Sequence, residues 1–146
     1  MTAFQKILVP IDFSEHSRRA LDVAIELAQK FAGRLQLIHA YPIHPLLLNP
    51  YDMHIPADFE HEFRKASDQK MAACADHVRK AGLEVETTCT PDLPSEAIVG
   101  CAEKIHADLI VMGTRGLTGL KHVVLGSVAE RTLRTAPCPV MTVKAS

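Results

Sequence analysis

Residues 6–11 read Lys6-Ile7-Leu8-Val9-Pro10-Ile11, and Asp12-Phe13-Ser14-Glu15-His16-Ser17 follow at once. A short run of branched apolar residues is a strand buried on both faces, the pattern of a parallel sheet. Asp12 and Phe13 break the run. Ser14 is a helix N-cap, with Glu15 in the first turn, where an acid suits the helix dipole. Ala20, Leu21, Ala24, Leu27, Ala28 and Phe31 then recur at helical spacing, and Gly33 is the expected stop.

The same alternation continues outward from this opening. Arg34–Tyr41 (RLQLIHAY) is a second strand. Residues 41–56 contain Pro42, Pro45, Pro50 and Pro56 around Leu46, Leu47 and Leu48, which argues against a regular element there. A second helix runs from about Asp58 to Ala81 and closes at Gly82. Leu83–Thr90 (LEVETTCT) alternates apolar and polar residues, as a half-exposed strand near a sheet edge does. Pro94 opens a third helix, and Ala107–Met112 is a fourth strand. Gly126-Ser127 opens a fourth helix of about two turns that ends before Pro137, and Pro139–Lys144 (PVMTVK) is a fifth strand. Strands alternating with helices predict an α/β fold, an open doubly wound, Rossmann-like parallel sheet with helices on both faces. Right-handed crossovers favour the strand order 3-2-1-4-5.

The 146 residues suit one domain spanning 1–146, long enough to need no disulfide or metal to complete its core. A formal net charge of −1 excludes a broad positive field for nucleic acid. No apolar run approaches the ~20 residues of a membrane span, and the first residues lack the pattern of a signal peptide. Cys74, Cys89, Cys101 and Cys138 form no CxxC pair and read as reduced thiols of a cytoplasmic protein.

In such a sheet, ligands bind beyond the carboxyl ends of the strands, where the strand order reverses. That point lies between strands one and four, which end at Pro10-Ile11-Asp12 and Met112-Gly113. Gly113-Thr114-Arg115-Gly116-Leu117-Thr118-Gly119 and then Gly126-Ser127 follow strand four. Gly113 is expected to take the positive φ of a sharp turn and to let backbone N–H groups approach a ligand. Gly126-Ser127 at a helix start offers unpaired N–H groups to phosphate, and Ser127 adds a hydroxyl. The segment is not a P-loop, since no GxxxxGK[ST] occurs, nor the dinucleotide GxGxxG, which would follow strand one. Asp12 either accepts hydrogen bonds from ribose hydroxyls or an adenine amino group, or caps its own turn.

The opening KILVPIDFSEHS, the strand end LIHAY, DLIVMGTRG and VLGSVAERTLRTAPCPVMTVK together resemble the universal stress protein family over essentially the whole chain. Gly113, Gly116, Gly126 and Ser127 match, without a gap, the Gly-x2-Gly-x9-Gly-Ser/Thr pattern of its ATP-binding subgroup. The resemblance implies ATP, AMP or ADP as ligand, accompanied by Mg²⁺. It implies that Gly113, Gly116, Gly126 and Ser127, with Val128 behind them, surround ribose and phosphates. It implies that Asp12 and Pro10 contact the adenosine end, that the backbone of Ala40 meets adenine, and that Met112 belongs to the same site. It also implies a homodimer through the last strand, which would protect an exposed edge. The family often has Gly-x-Pro before the third helix. Here the stretch is Asp92-Leu93-Pro94, an acid that either repels a triphosphate or helps hold a metal ion.

His39 in its apolar strand reads as a satisfied core or rim histidine, not a catalytic one. His44 and His54 are weak evidence for a metal site. Arg115, between two glycines, is a better phosphate partner than Lys121. Leu46–Leu48 either form a lid or cover the sheet edge. Phe59, Phe63, Met71, Cys74 and Val78 read as core packing. Thr114, Arg115, Thr118, Lys121, His122 and Ser127 include no carboxylate to orient a water, so the expectation is a binding module or switch with an unidentified protein partner. The alternatives are a slow ATPase or self-phosphorylating protein, with Ser127 or Thr118 as acceptor, and a dimeric interaction protein with a structural nucleotide.

Overall fold

The described residues of the computed structural model are 3–41, 57–115 and 125–145. The readings of His44, His54, Leu46–Leu48, Gly116, Thr118, Gly119, Lys121 and His122 lie outside them, as does the side chain of Phe59. The elements are β1 (Lys6–Pro10), α1 (Glu15–Phe31), β2 (Arg34–Ala40), α2 (Ala57–Lys80), β3 (Val85–Thr90), α3 (Pro94–Ile105), β4 (Leu109–Gly113), α4 (Ser127–Thr135) and β5 (Val140–Val143). The sheet order is β3-β2-β1-β4-β5, and every pairing is parallel. Ile7 stands beside Leu35 on one side and Leu109 on the other, which sets the register of the central strands.

The period of two along the central strands divides the core into two layers. Ile7, Val9 and Ile11, Leu35 and Leu37, and Leu109 and Val111 pack with Ala20, Leu21, Ala24 and Ala28 of α1 and Met71 and Val78 of α2. Leu8, Ile38, Ile110 and Met112 face the other way, onto Ile98 and Ala102 of α3 and Ala129 of α4. Both faces of β1 and β4 are therefore covered, which is why their sequences are apolar without alternation. At the edge β3 is half-exposed, as its alternating sequence requires. Phe63 departs from the core reading: it is 42% exposed, with its ring on Tyr41 at 5.3 Å, and Phe31 is 40% exposed with its ring on Phe4 at 5.4 Å.

Two boundary details have a tertiary cause. Helix α1 ends at Phe31 with Ala32, not Gly33, in the left-handed conformation (φ 52°). Gly33 is needed for close approach instead: a Cβ there would lie 2.7 Å from the carbonyl oxygen of Phe4. Strand β4 begins at Leu109, not Ala107. The Asp108 carboxylate accepts from the N–H groups of Gln5 (3.2 Å) and Lys6 (2.9 Å), tying the start of β1 to the start of β4. Gly82, by contrast, does close α2 with φ 83°.

Candidate functional site

β1 is central, and the chain passes from it to β2 and β3 on one side and to β4 and β5 on the other. The reversal between β1 and β4 leaves a crevice at their carboxyl ends, the expected ligand position of such a sheet. Strand alternation places Pro10 and Ala40 on the face of β1 and β2 that carries Leu8 and Ile38, the side covered by α3 and α4. Met112 projects to the same side from β4. All three predicted residues thus share one wall beneath the crevice. Pro10 and Ala40 are half-buried there.

Asp12 stands just past the end of β1. Its Oδ1 accepts from the N–H of Ser14 at 2.9 Å, so the carboxylate does brace its own turn. Among the described residues Oδ2 takes no hydrogen bond, which leaves that oxygen for a second partner. Ser14 caps α1 through Oγ to the N–H of Ser17 at 3.2 Å. Between these two braces Phe13 is held at φ 64°. A bulky residue in the left-handed region costs about 1–2 kcal/mol. The cost is offset by the packing of its ring against His39 at 4.5 Å and beneath Lys70 Nζ at 5.1 Å. His39 is 8% exposed, and its Nδ1 lies 2.7 Å from the carbonyl oxygen of Ile11. A carbonyl only accepts, so Nδ1 carries the proton and the ring is a satisfied brace of the β1 end.

On the opposite side of the crevice Gly113 ends β4 beside Val143. Its expected positive φ is not observed; among the described glycines that conformation belongs to Gly82. The physical need at Gly113 is space for α1. A Cβ would fall 2.7 Å from His16 Cβ and 2.8 Å from its carbonyl carbon. Thr114 follows, 3% exposed, donating its N–H to Val143 (3.0 Å) and accepting from the N–H of Gly126 (2.6 Å). That last bond brings the two ends of the glycine segment together. Arg115 sits half-buried at its start.

Gly126 is the N-cap of α4 with φ −70° and offers no side-chain cap. Ser127, Val128 and Ala129 form the first turn, whose N–H groups precede the intrahelical bonding pattern. Ser127 is exposed, Val128 half-buried. A Cβ on Gly126 would meet the Thr114 carbonyl at 3.2 Å and Arg115 Cα at 3.4 Å, so the backbone here is closely packed on the loop start. Helix α3 also starts at this edge with no side-chain cap, behind Leu93. Two partial positive charges therefore face the α3/α4 side of the carboxyl edge. Asp92, the acid before α3, has Oδ2 engaged by the Thr90 hydroxyl at 2.7 Å.

Other cavities lie elsewhere. Two, of about 560 and 230 Å³, open at the amino edge around Lys6, Arg34 and Glu84. A third, of about 740 Å³, separates α1 from α2 and is lined by Phe13, Arg18, Leu21 and Cys74. The first two offer no helix N-terminus, and the third reaches the start of α1 only where Ser14 Oγ already caps the Ser17 N–H, so the carboxyl crevice remains the better candidate on chemistry. Among the described residues no three His, Cys, Asp or Glu side chains converge as a metal site, and no helix is long and apolar enough to cross a membrane. Two participants escaped the sequence reading: His16, hidden inside the capping motif, and Thr114, seen there as one polar residue among several. Their roles depend on α1 crossing β4, for which no local signal exists.

A family model described as the universal stress protein family matches residues 3–144. The universal stress protein MJ0531 of Methanocaldococcus jannaschii is 34% identical over 146 aligned residues, covering 97% of this chain and 82% of that protein. A universal stress protein of Thermus aquaticus is 35% identical, covering 97% of this chain and 99% of its own length. The structure of MJ0577, a universal stress protein of Methanocaldococcus jannaschii, superposes with a TM-score of 0.87 at 27% identity and 99% coverage of each chain. A universal stress protein in complex with cAMP superposes with a TM-score of 0.72 at 25% identity, covering 99% of this chain and 100% of that one. With the matched strand order and the family model spanning nearly its full length, this chain belongs to the universal stress protein family.

Proposed function

We propose that this protein is a nucleotide-responsive stress protein that binds an adenine nucleotide, ATP foremost, across the carboxyl crevice as one unit. The observation that carries the reading is the start of α4. Its N-cap residue, Gly126, brings no side-chain cap to the first-turn N–H groups, and Gly126 is bonded back to Thr114 at the reversal point of the sheet. This arrangement suits a phosphate. Asp12, Pro10, Ala40 and Met112 then receive the adenosine end, with Oδ2 of Asp12 as acceptor. Gly113, Arg115, Gly116, Gly126, Ser127 and Val128 receive ribose and phosphates. The relative in complex with cAMP supports an adenine nucleotide.

The reading is of binding and switching, not of turnover. Glu130, the acid in the first turn of α4, is held by Arg134 at 2.6 Å, which leaves it poorly placed to orient a water. Mg²⁺ would arrive on the nucleotide's own phosphates, because among the described residues no ligand set assembles for it. The edge strand β5, with Met141 36% exposed, would pair with a second copy. The four free thiols fit a reducing, cytoplasmic setting.

The test is to denature freshly purified protein, identify any released small molecule by mass spectrometry, and titrate stripped protein with ATP and Mg²⁺. Released adenine nucleotide, or binding on the order of micromolar that Gly126→Val removes, is the expected result. No nucleotide and no heat of binding would reject the reading. Turnover near an ordinary enzyme's ~10 per second would reject its non-catalytic part.

A further inference from the structure

His16 lies in the first turn of α1, two residues past the Ser14 cap, and is half-buried. Two distant segments meet its imidazole. Ala145, beyond β5, donates its backbone N–H to Nδ1 at 3.2 Å. Thr114, just after β4, places Oγ1 3.5 Å from the same nitrogen. An amide N–H can only donate, so Nδ1 is the acceptor and the proton of the neutral ring resides on Nε2. Thr114 is also the residue whose carbonyl accepts from Gly126 and closes the glycine segment. The absence of a Cβ at Gly113 is what lets the backbone of His16 come this near.

We propose that His16 is a positioning residue. Its Nδ1 lone pair seats the end of β4 and the chain leaving β5 on the first turn of α1, and thereby sets the mouth of the loop between Thr114 and Gly126. The joint itself needs no ligand; its consequence for ATP rests on the reading given above. A hydrophobic residue of similar bulk would fill the same space without holding either segment. This separates positioning from packing.

The full chain is compared with His16→Leu, which keeps bulk and removes the acceptor, and with His16→Asn, whose Oδ1 stands where Nδ1 stood. Amide hydrogen exchange reads Ala145 and Gly126, and calorimetry reads ATP with Mg²⁺. In His16→Leu both amides should exchange about three- to tenfold faster, the factor that one lost hydrogen bond implies, and ATP should bind more weakly by a similar factor. His16→Asn should return all three readings toward those of the unaltered protein. Unchanged exchange in His16→Leu, or no recovery in His16→Asn, overturns the proposal. If ATP binds none of the three chains, the nucleotide reading falls, and the exchange comparison alone still decides the joint. Should His16→Leu fail to fold, imidazole ¹⁵N shifts of the unaltered protein decide. A bare Nδ1 with a protonated Nε2 supports the joint, and a protonated Nδ1 refutes it.

Discussion

Replacing Gly113 by Ala adds one methyl group at the end of β4 and should damage the protein out of proportion to its size. The new Cβ would lie 2.7 Å from His16 Cβ, 2.8 Å from its carbonyl carbon and 3.1 Å from its carbonyl oxygen. Carbon atoms in contact prefer about 3.5–4.0 Å, so roughly 1 Å of separation must be found. Two of the three obstructing atoms are backbone, so no rotamer change relieves the clash. β4 is paired on both sides, with β1 and β5, so the first turn of α1 must withdraw. Overpacking of this kind costs about 1–3 kcal/mol. A chain of this length has an unfolding entropy of roughly 0.3 kcal/mol/K near its midpoint, which converts the cost to a Tm lowered by about 3–10 °C. Gly100→Ala is the matched control. It sits within α3, and nothing lies within 4 Å of its added Cβ. There the methyl group should stabilise by about 0.5–1 kcal/mol, raising Tm by roughly 2–3 °C. Thermal unfolding followed by circular dichroism measures both. A Gly113→Ala protein that melts at or above the unaltered midpoint would refute the claim that this glycine sets the approach of α1.

Further outcomes follow from single contacts. Asp12→Asn keeps the Oδ1 acceptor for Ser14, so Tm should hold within about 2 °C while ATP affinity falls about tenfold with the lost charge; equal affinity would remove Asp12 from the site. Ser14→Ala should cost about 1 kcal/mol in urea unfolding by deleting the α1 cap, and no loss would mean the cap is replaced by another group. Burial and a hydrogen bond to Asp68 push the Cys89 thiol from its ordinary value near 9 up to about 11. Between those values the folded protein keeps a proton that the unfolded chain releases. Stability from this group is thus complete below pH 9 and lost as pH rises toward 11. The urea midpoint should therefore fall more steeply over that range in the unaltered protein than in Cys89→Ser. Met141→Glu should shift sedimentation toward monomer if β5 pairs with a second copy; an unchanged profile would place the assembly, if any, elsewhere.

Local chemistry made much of this protein legible. The unbroken apolar run at Ile7–Val9 required cover on both faces, and the two layers of core supply it. Ser14 was readable as a cap because capping involves neighbouring residues alone. Alternation through β3 marked an edge because side chains there can be wet on one side. The carboxyl-edge location of the candidate site followed from topology, which short right-handed connections nearly dictate. The reading went astray where a residue answers to something distant. Gly33 and Gly113 look like turn glycines, yet both are there because another stretch of backbone passes within 3 Å of where a Cβ would be. Ala107 and Asp108 look like strand, yet Asp108 turns its carboxylate onto the start of β1.

The amino-acid sequence by itself thus determined the element order, the parallel doubly wound sheet and the helix start at Gly126. Periodicity, caps and turn residues are properties of a few adjacent positions. Tertiary structure alone decided that Gly113 makes room for the first turn of α1. It alone also decided that His39 spends Nδ1 on Ile11, and that His16 receives Thr114 and Ala145 together. These last contacts join residues up to 129 positions apart. Such a contact exists only once the sheet has brought its strands side by side, and no window of sequence contains both partners.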